Sequence, residues 1–217
     1  MDISSVLGLL ETALELGLIS SLTVLALFLS YSMLNICDLS TDGCFTLGAS
    51  VGAVVAISGH PFLSIPAAML AGMLSGFVTA FLQTRCGIDS LLSGIIVNTA
   101  LYSVNIAVMG KSSLLNMNKT ETIFTKAKDV LANSFLAPYY KTVVVLFFVT
   151  LVIVFLALFL RTKLGLAIRA TGNNPDMVRS SSINPVFTAT VGLCVATHLR
   201  DFQAVCLHSR KSRSILI

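Results

Sequence analysis

Charge is scarce in this 217-residue chain. Asp, Glu, Lys and Arg together make up 11% of it, against about 25% in an ordinary soluble domain. With 55% hydrophobic residues and a mean hydropathy of +0.90, that scarcity excludes the soluble protein of one or two domains that length alone would allow. Sustained alternation of apolar and polar residues is missing too, which excludes a β-barrel: the apolar runs are continuous. There is no Gly-rich phosphate loop of the G-x-x-x-x-G-K type, so any ATP hydrolysis has to come from a partner. The cysteines (Cys37, Cys44, Cys86, Cys194 and Cys206) show no zinc or redox spacing and read as small packing residues, leaving no metal site and no cofactor of the chain's own. The first residues carry Asp2 and Glu11 where a secretory leader would be basic, so the first span is expected to stay as an anchor. The formal charge of +4 is concentrated at the end, where Arg200, Arg210, Lys211 and Arg213 face only Asp201; nucleic acid is therefore not an expected partner.

What is present is a series of apolar runs near the roughly 20 residues that cross a bilayer. They predict an all-α fold, a polytopic transmembrane helix bundle of about five to six membrane segments with one short or broken. The runs are Leu16–Ile36 after a short amphipathic lead-in over 1–14, a short run Cys44–Ser58, then Phe62–Gln83, Leu91–Met109, Thr142–Leu160 and a final run from Pro185 to Ala196. Polar loops cover Arg85–Asp89, Gly110–Tyr140 and Arg161–Asn184. Arg161, Lys163, Arg169 and Arg179 place the last of these in the cytoplasm, and counting back puts the N-terminus outside; the lysines of Gly110–Tyr140 argue the other way.

Two polar stretches interrupt this pattern. The first, NICDLSTDGCFTLGA from Asn35 to Ala49, carries Asp38 and Asp42 between apolar runs. Non-helical backbone at membrane depth survives only where protein or a watery cavity covers it, so Asn35, Asp38, Ser40, Asp42, Gly43 and Gly48 are candidates for a solute pathway beside a broken helix. The same aspartates also fit capping and turn formation, and Asp42-Gly43 reads well as a turn. Gly48 and Gly52, like Gly72 and Gly76, are spaced four apart and make flat strips for helix packing. Asn98 and Asn105 line the path or bond neighbouring helices, and His60 reads as an interfacial loop residue. The second stretch, GLAIRATGNNPDMVRSSSIN from Gly165 to Asn184, reads as a short cytoplasmic surface helix from Pro175 to about Ser182. Asn174 caps it, Pro175 suits its first position, and Asp176 and Arg179 match its dipole.

Taken together, the two stretches resemble the permeases of bacterial ABC importers, in the branch related to branched-chain amino-acid and ribose permeases. Within it the chain is most similar to the group that works with amino-acid-type binding lipoproteins. The resemblance runs from about Leu7 to Ala196. It implies a transmembrane permease subunit of an ATP-driven importer for an amino acid or similar small solute, multi-pass in the bacterial plasma (inner) membrane and not itself an enzyme. It implies three kinds of protein partner: a cytosolic ABC ATPase subunit, an extracytoplasmic solute-binding lipoprotein and a second permease copy, most simply the same chain. It also implies that the coupling helix docking the ATPase includes Ala170, Thr171, Gly172, Asn173, Asn174, Pro175, Asp176, Met177 and Arg179. The rival readings are a membrane anchor or assembly protein without transport, and an ion-coupled carrier using Asp38 and Asp42.

The chain departs from that pattern in two places. Ser181 and Ser182 stand where relatives tend to have an apolar residue and Gly before the Ile-Asn pair. From Thr197 the texture turns basic and aperiodic, THLRDFQAVCLHSRKSRSILI. Synonymous codons for Ala196 to Lys211 allow the neighbouring frame to read NALTGFSGCLLAQSQK, which has the small, apolar composition of a continuing span. The expectation is a partial permease transmembrane domain over 1–196 and an aberrant basic tail over 197–217, displaced by one lost nucleotide and leaving the chain truncated.

Overall fold

The computed structural model describes residues 3–111 and 140–211. Most of the expected polar loop Gly110–Tyr140 lies outside the described residues, as do residues 212–217. The architecture is the expected all-α bundle, with no strand among the described residues. Helix α1 (Ile3–Leu27) continues into a π-helical turn, Phe28–Met33, and the two form one apolar span over Val6–Met33. Residues 3–14, read from the sequence as a lead-in, are not separate from the span but form the first turns of the same helix, with Val6, Leu7, Leu9, Leu10 and Leu14 all exposed.

Helix α2 (Thr41–Ile57) is the short apolar segment, and α3 (Pro61–Thr84) follows after a turn at Gly59. Helix α4 (Ser90–Val108) begins where the Asp89 side chain accepts from the Leu91 N–H at 2.9 Å. Gly87, at φ +67°, makes the tight reversal before it, in the left-handed region that glycine enters without cost. Helix α5 (Tyr140–Arg161) returns to the basic side. Two short helices follow there, α6 (Lys163–Asn173) and α7 (Pro175–Ser180), and then α8 (Pro185–Lys211).

Helix α8 corrects one expectation. The apolar run is expected to stop at Ala196, but the helix continues to Lys211 and residues 199–206 are all buried inside the bundle. Ala196, Leu199, Phe202 and Cys206 recur at helical spacing and pack against Ile19, Leu22 and Ala26 of α1 and Val145, Val149 and Val152 of α5. The Phe202 and Phe148 rings lie 5.7 Å apart. The segment is thus periodic on one face, a pattern masked in the sequence by the charges on the other.

The C-terminal ends of α1 and α3, the body of α6 and the start of α8 meet in a core of Leu34, Ala80, Ile168, Ala189 and Leu193. Arg161, Lys163, Arg169 and Arg179 cluster at this end, which the positive-inside rule assigns to the cytoplasm. Towards the other end, Thr142 donates to Glu15 at 3.0 Å, tying α5 to α1.

Candidate functional site

The Asn35–Ala49 stretch begins near the basic end: residues 35–40 join the π-turn to α2, and residues 41–49 are the first turns of α2. Asn35 takes φ +55° and turns the chain out of α1. Asp38 is buried, and its Oδ1 accepts from the Ser40 N–H at 2.9 Å and the Ser40 hydroxyl at 2.6 Å. That is an Asx-type turn, the local chemistry of a carboxylate two residues ahead of an N–H. Asp42 lies in the first turn of α2, 90% exposed, and accepts from Arg200 Nη2 at 3.4 Å. Gly43 lies inside α2 and makes no turn. A Cβ there would stand 2.6 Å from Asn98 Oδ1, so its role is to let α4 approach. Asn105, buried on α4, fixes that approach by donating to Thr46 Oγ1 at 2.6 Å.

From Ser40 a polar seam runs along the interface of α2 and α3. The Thr79 hydroxyl donates to Ser40 Oγ at 3.3 Å, and the Ser75 hydroxyl donates to Cys44 Sγ at 3.1 Å. All four residues are buried. The seam ends on α8. The four glycines of the two strips all face that helix: Gly48 and Gly72 abut Asp201, Gly52 abuts Val205, and Gly76 abuts Thr197 and the Cys194 backbone. The close approach this permits brings in an expensive group. Asp201 is fully buried, and neither carboxylate oxygen has a hydrogen-bond partner. Gln203, on the same helix turn, is served by the Thr23 hydroxyl of α1.

The cytoplasmic loop is built in two parts. Helix α6 is amphipathic and lays Gly165, Ala167, Ile168 and Thr171 on the bundle. Thr171 and Thr188 share a hydrogen bond of 2.7 Å, and Gly172 seats directly on the Met33 carbonyl of the π-turn. The chain then breaks at Asn174 (φ −156°, ψ 97°), whose Oδ1 accepts from the Asp176 and Met177 N–H groups at 3.1 Å each. In α7 only Val178 is buried. Asp176, Met177 and Arg179 are exposed, as are Ala170, Asn173 and Pro175 nearby. Ser182 follows at φ +61°, a left-handed position where glycine is the unstrained residue. The resemblance expects glycine there.

The structure therefore brings Ser40, Gly48, Gly52, Gly72 and Gly76 to one seam. It leaves Asn35 and Asp42 exposed near the cytoplasmic end, and it divides the loop residues between a bundle-facing pair, Thr171 and Gly172, and an outward group on α7. Sequence reading missed Ser75, Thr79 and Asp201. Ser75 and Thr79 were detectable as hydroxyl residues one turn apart, on the face that carries Gly72 and Gly76. Asp201 was hidden in a segment read as outside the fold.

A family model described as the permease component of branched-chain amino acid transport systems matches residues 9–197. A tyrosine transport system permease protein of Clostridioides difficile (strain R20291) is 34% identical over 184 residues, covering 84% of this chain and 58% of that protein. An uncharacterized protein of Rickettsia prowazekii (strain Madrid E) is 33% identical over 178 residues, covering 79% of this chain and 58% of that protein. The chain thus spans 58% of the length of both relatives. No solved structure matches. With four helices among the described residues long and apolar enough to cross a bilayer and a match over most of its length, this multi-pass membrane protein belongs to the family of branched-chain amino acid transport permease components.

Proposed function

We propose that this chain is the transmembrane permease subunit of an ATP-driven importer for an amino acid or a similar small solute, in a bacterial inner membrane. A cytosolic ATPase docks on α7, a binding lipoprotein delivers solute from outside, and a second permease copy completes the pore. Alternating access is driven by the ATPase; the permease hydrolyses nothing itself. The observation that carries the reading is α7. It is a capped helix anchored by one buried residue, Val178, with Asp176, Met177 and Arg179 turned outward on the basic side of a transport-family permease. An ion-coupled carrier is less well supported, because Asp38 is folded onto Ser40 and Asp42 is exposed and paired with Arg200.

The test reverses both charges of α7, Asp176→Lys with Arg179→Glu. In cells producing the importer, the variant should reach the membrane in normal amount but retain less than a tenth of the ATPase. That corresponds to the ~1.4 kcal/mol or more expected from losing charged anchors at an interface. Unchanged ATPase association and uptake would sink the docking assignment.

Residues 197–217 belong, on this reading, to a displaced frame. Two observations support it: the family match ends at residue 197, and the buried Asp201 after that point has no partner. A genomic sequence with the frame intact through codons 196 and 197 would overturn it.

A further inference from the structure

At the cytoplasmic end, the C-terminus of α3 and the N-terminus of α8 diverge around an open cleft of about 520 Å³. Its wall is mixed in a directional way. Phe77, Phe81 and Phe187 line the part along the spans, and all are exposed by about half or more. Thr84, Arg85 and Asn184 line the part at the helix ends. Arg85 is exposed and forms no ion pair among the described residues. Asn184 Oδ1 is occupied by the Val186 N–H at 3.0 Å, which leaves its amide Nδ2 as a donor. The nearest carboxylate in sequence, Asp89, is engaged as the α4 cap. An aromatic slot parallel to the spans, closed at the water boundary by an unpaired guanidinium and a free amide, matches one chemistry: an acyl chain ending in an anionic phosphate headgroup.

We propose that this cleft is a binding site for an anionic phospholipid of the cytoplasmic leaflet, with the acyl chain along Phe77, Phe81 and Phe187 and the phosphate on Arg85 and Asn184. Charge complementarity selects this occupant. A lipid without a phosphate would leave the guanidinium unpaired, a zwitterionic one would bring its own cation beside it, and a purely polar ligand would leave three phenyl rings uncovered. The site requires only that the chain be inserted in a membrane, so its test is independent of whether the protein transports anything.

The full chain, purified in nanodiscs of mixed phosphatidylglycerol and phosphatidylcholine, is analysed by native mass spectrometry for retained lipid. The protein should retain phosphatidylglycerol in preference. Arg85→Gln should lower that preference about fivefold, the effect of one basic residue at an anionic surface, and Arg85→Lys should largely restore it. Phe187→Ala should reduce retention of both lipids. The proposal is overturned if the unaltered chain shows no preference, if Arg85→Gln retains it, or if Phe187→Ala leaves retention unchanged. It is equally overturned if Arg85→Gln releases a co-purifying ATPase with lipid retention unaltered, since the cleft is then a protein contact.

Discussion

Replacing Asp201 by alanine should make this protein more stable, by about 2 kcal/mol, the cost of a buried polar group left without a partner. Most substitutions of a fully buried side chain destabilise. Here the sign reverses because the native group is unsatisfied: both oxygens of Asp201 lack hydrogen bonds, and the glycines at 48 and 72 close over the carboxylate. Alanine keeps the Cβ that those glycines accommodate, removes the carboxyl group and favours helix more than aspartate does. Arg200, its neighbour in sequence, gives the carboxyl group no hydrogen bond, since its guanidinium reaches Asp42 instead. The measurement is the midpoint of thermal or denaturant unfolding in detergent, which should rise for Asp201→Ala. A fall would mean that the carboxylate has a partner or a role in the folded protein, and would weaken the displaced-frame reading with it.

Gly172→Val should have the opposite and larger effect, a loss of about 3 kcal/mol and much reduced accumulation in the membrane. Its Cβ would collide with the Met33 carbonyl oxygen and crowd the Leu34 backbone. These are backbone atoms of the π-turn, and they are pinned because Leu34 is itself buried among Ala80, Ile168, Ala189 and Leu193. Overpacking against fixed atoms costs ~1–3 kcal/mol, and more where nothing can yield. Gly8→Ala is the matched control. Position 8 has nothing within 4 Å to clash with, so alanine there should be neutral or slightly favourable through helix propensity. Equal behaviour of the two variants would show that α6 is not seated on the π-turn as described.

The two variants also show where the sequence was readable. The spans were legible because lipid imposes a composition that needs no knowledge of tertiary contacts. Helix α7 was legible because its cap is local: Asn174, Pro175 and Asp176 state the start of a helix within three residues. The packing partners were not legible. Gly43 looked like a turn residue after Asp42, yet it serves α4, which lies more than 50 residues further along the chain. The seat of Gly172 on Met33 has no local signature at all. The second half of α8 was misjudged for a different reason. Its charges were read as the mark of an aperiodic, displaced tail, whereas Arg200 and Asp201 lie buried opposite an apolar stripe formed by Leu199, Phe202 and Cys206.

On the function proposed above, this is an importer permease whose polypeptide follows the family pattern only as far as Ala196. The most direct measurement is the nucleotide sequence across codons 196 and 197 and downstream, read from the genome of origin. A single-base correction there should open a frame reading NALTGFSGCLLAQSQK and continuing into further apolar spans. Such a frame would place small apolar residues where Asp201 now meets Gly48 and Gly72. If instead the present frame stands and the neighbouring frame contains no such spans, the buried charges of α8 are genuine features of the protein. That result would contradict the displaced frame proposed for residues 197–217.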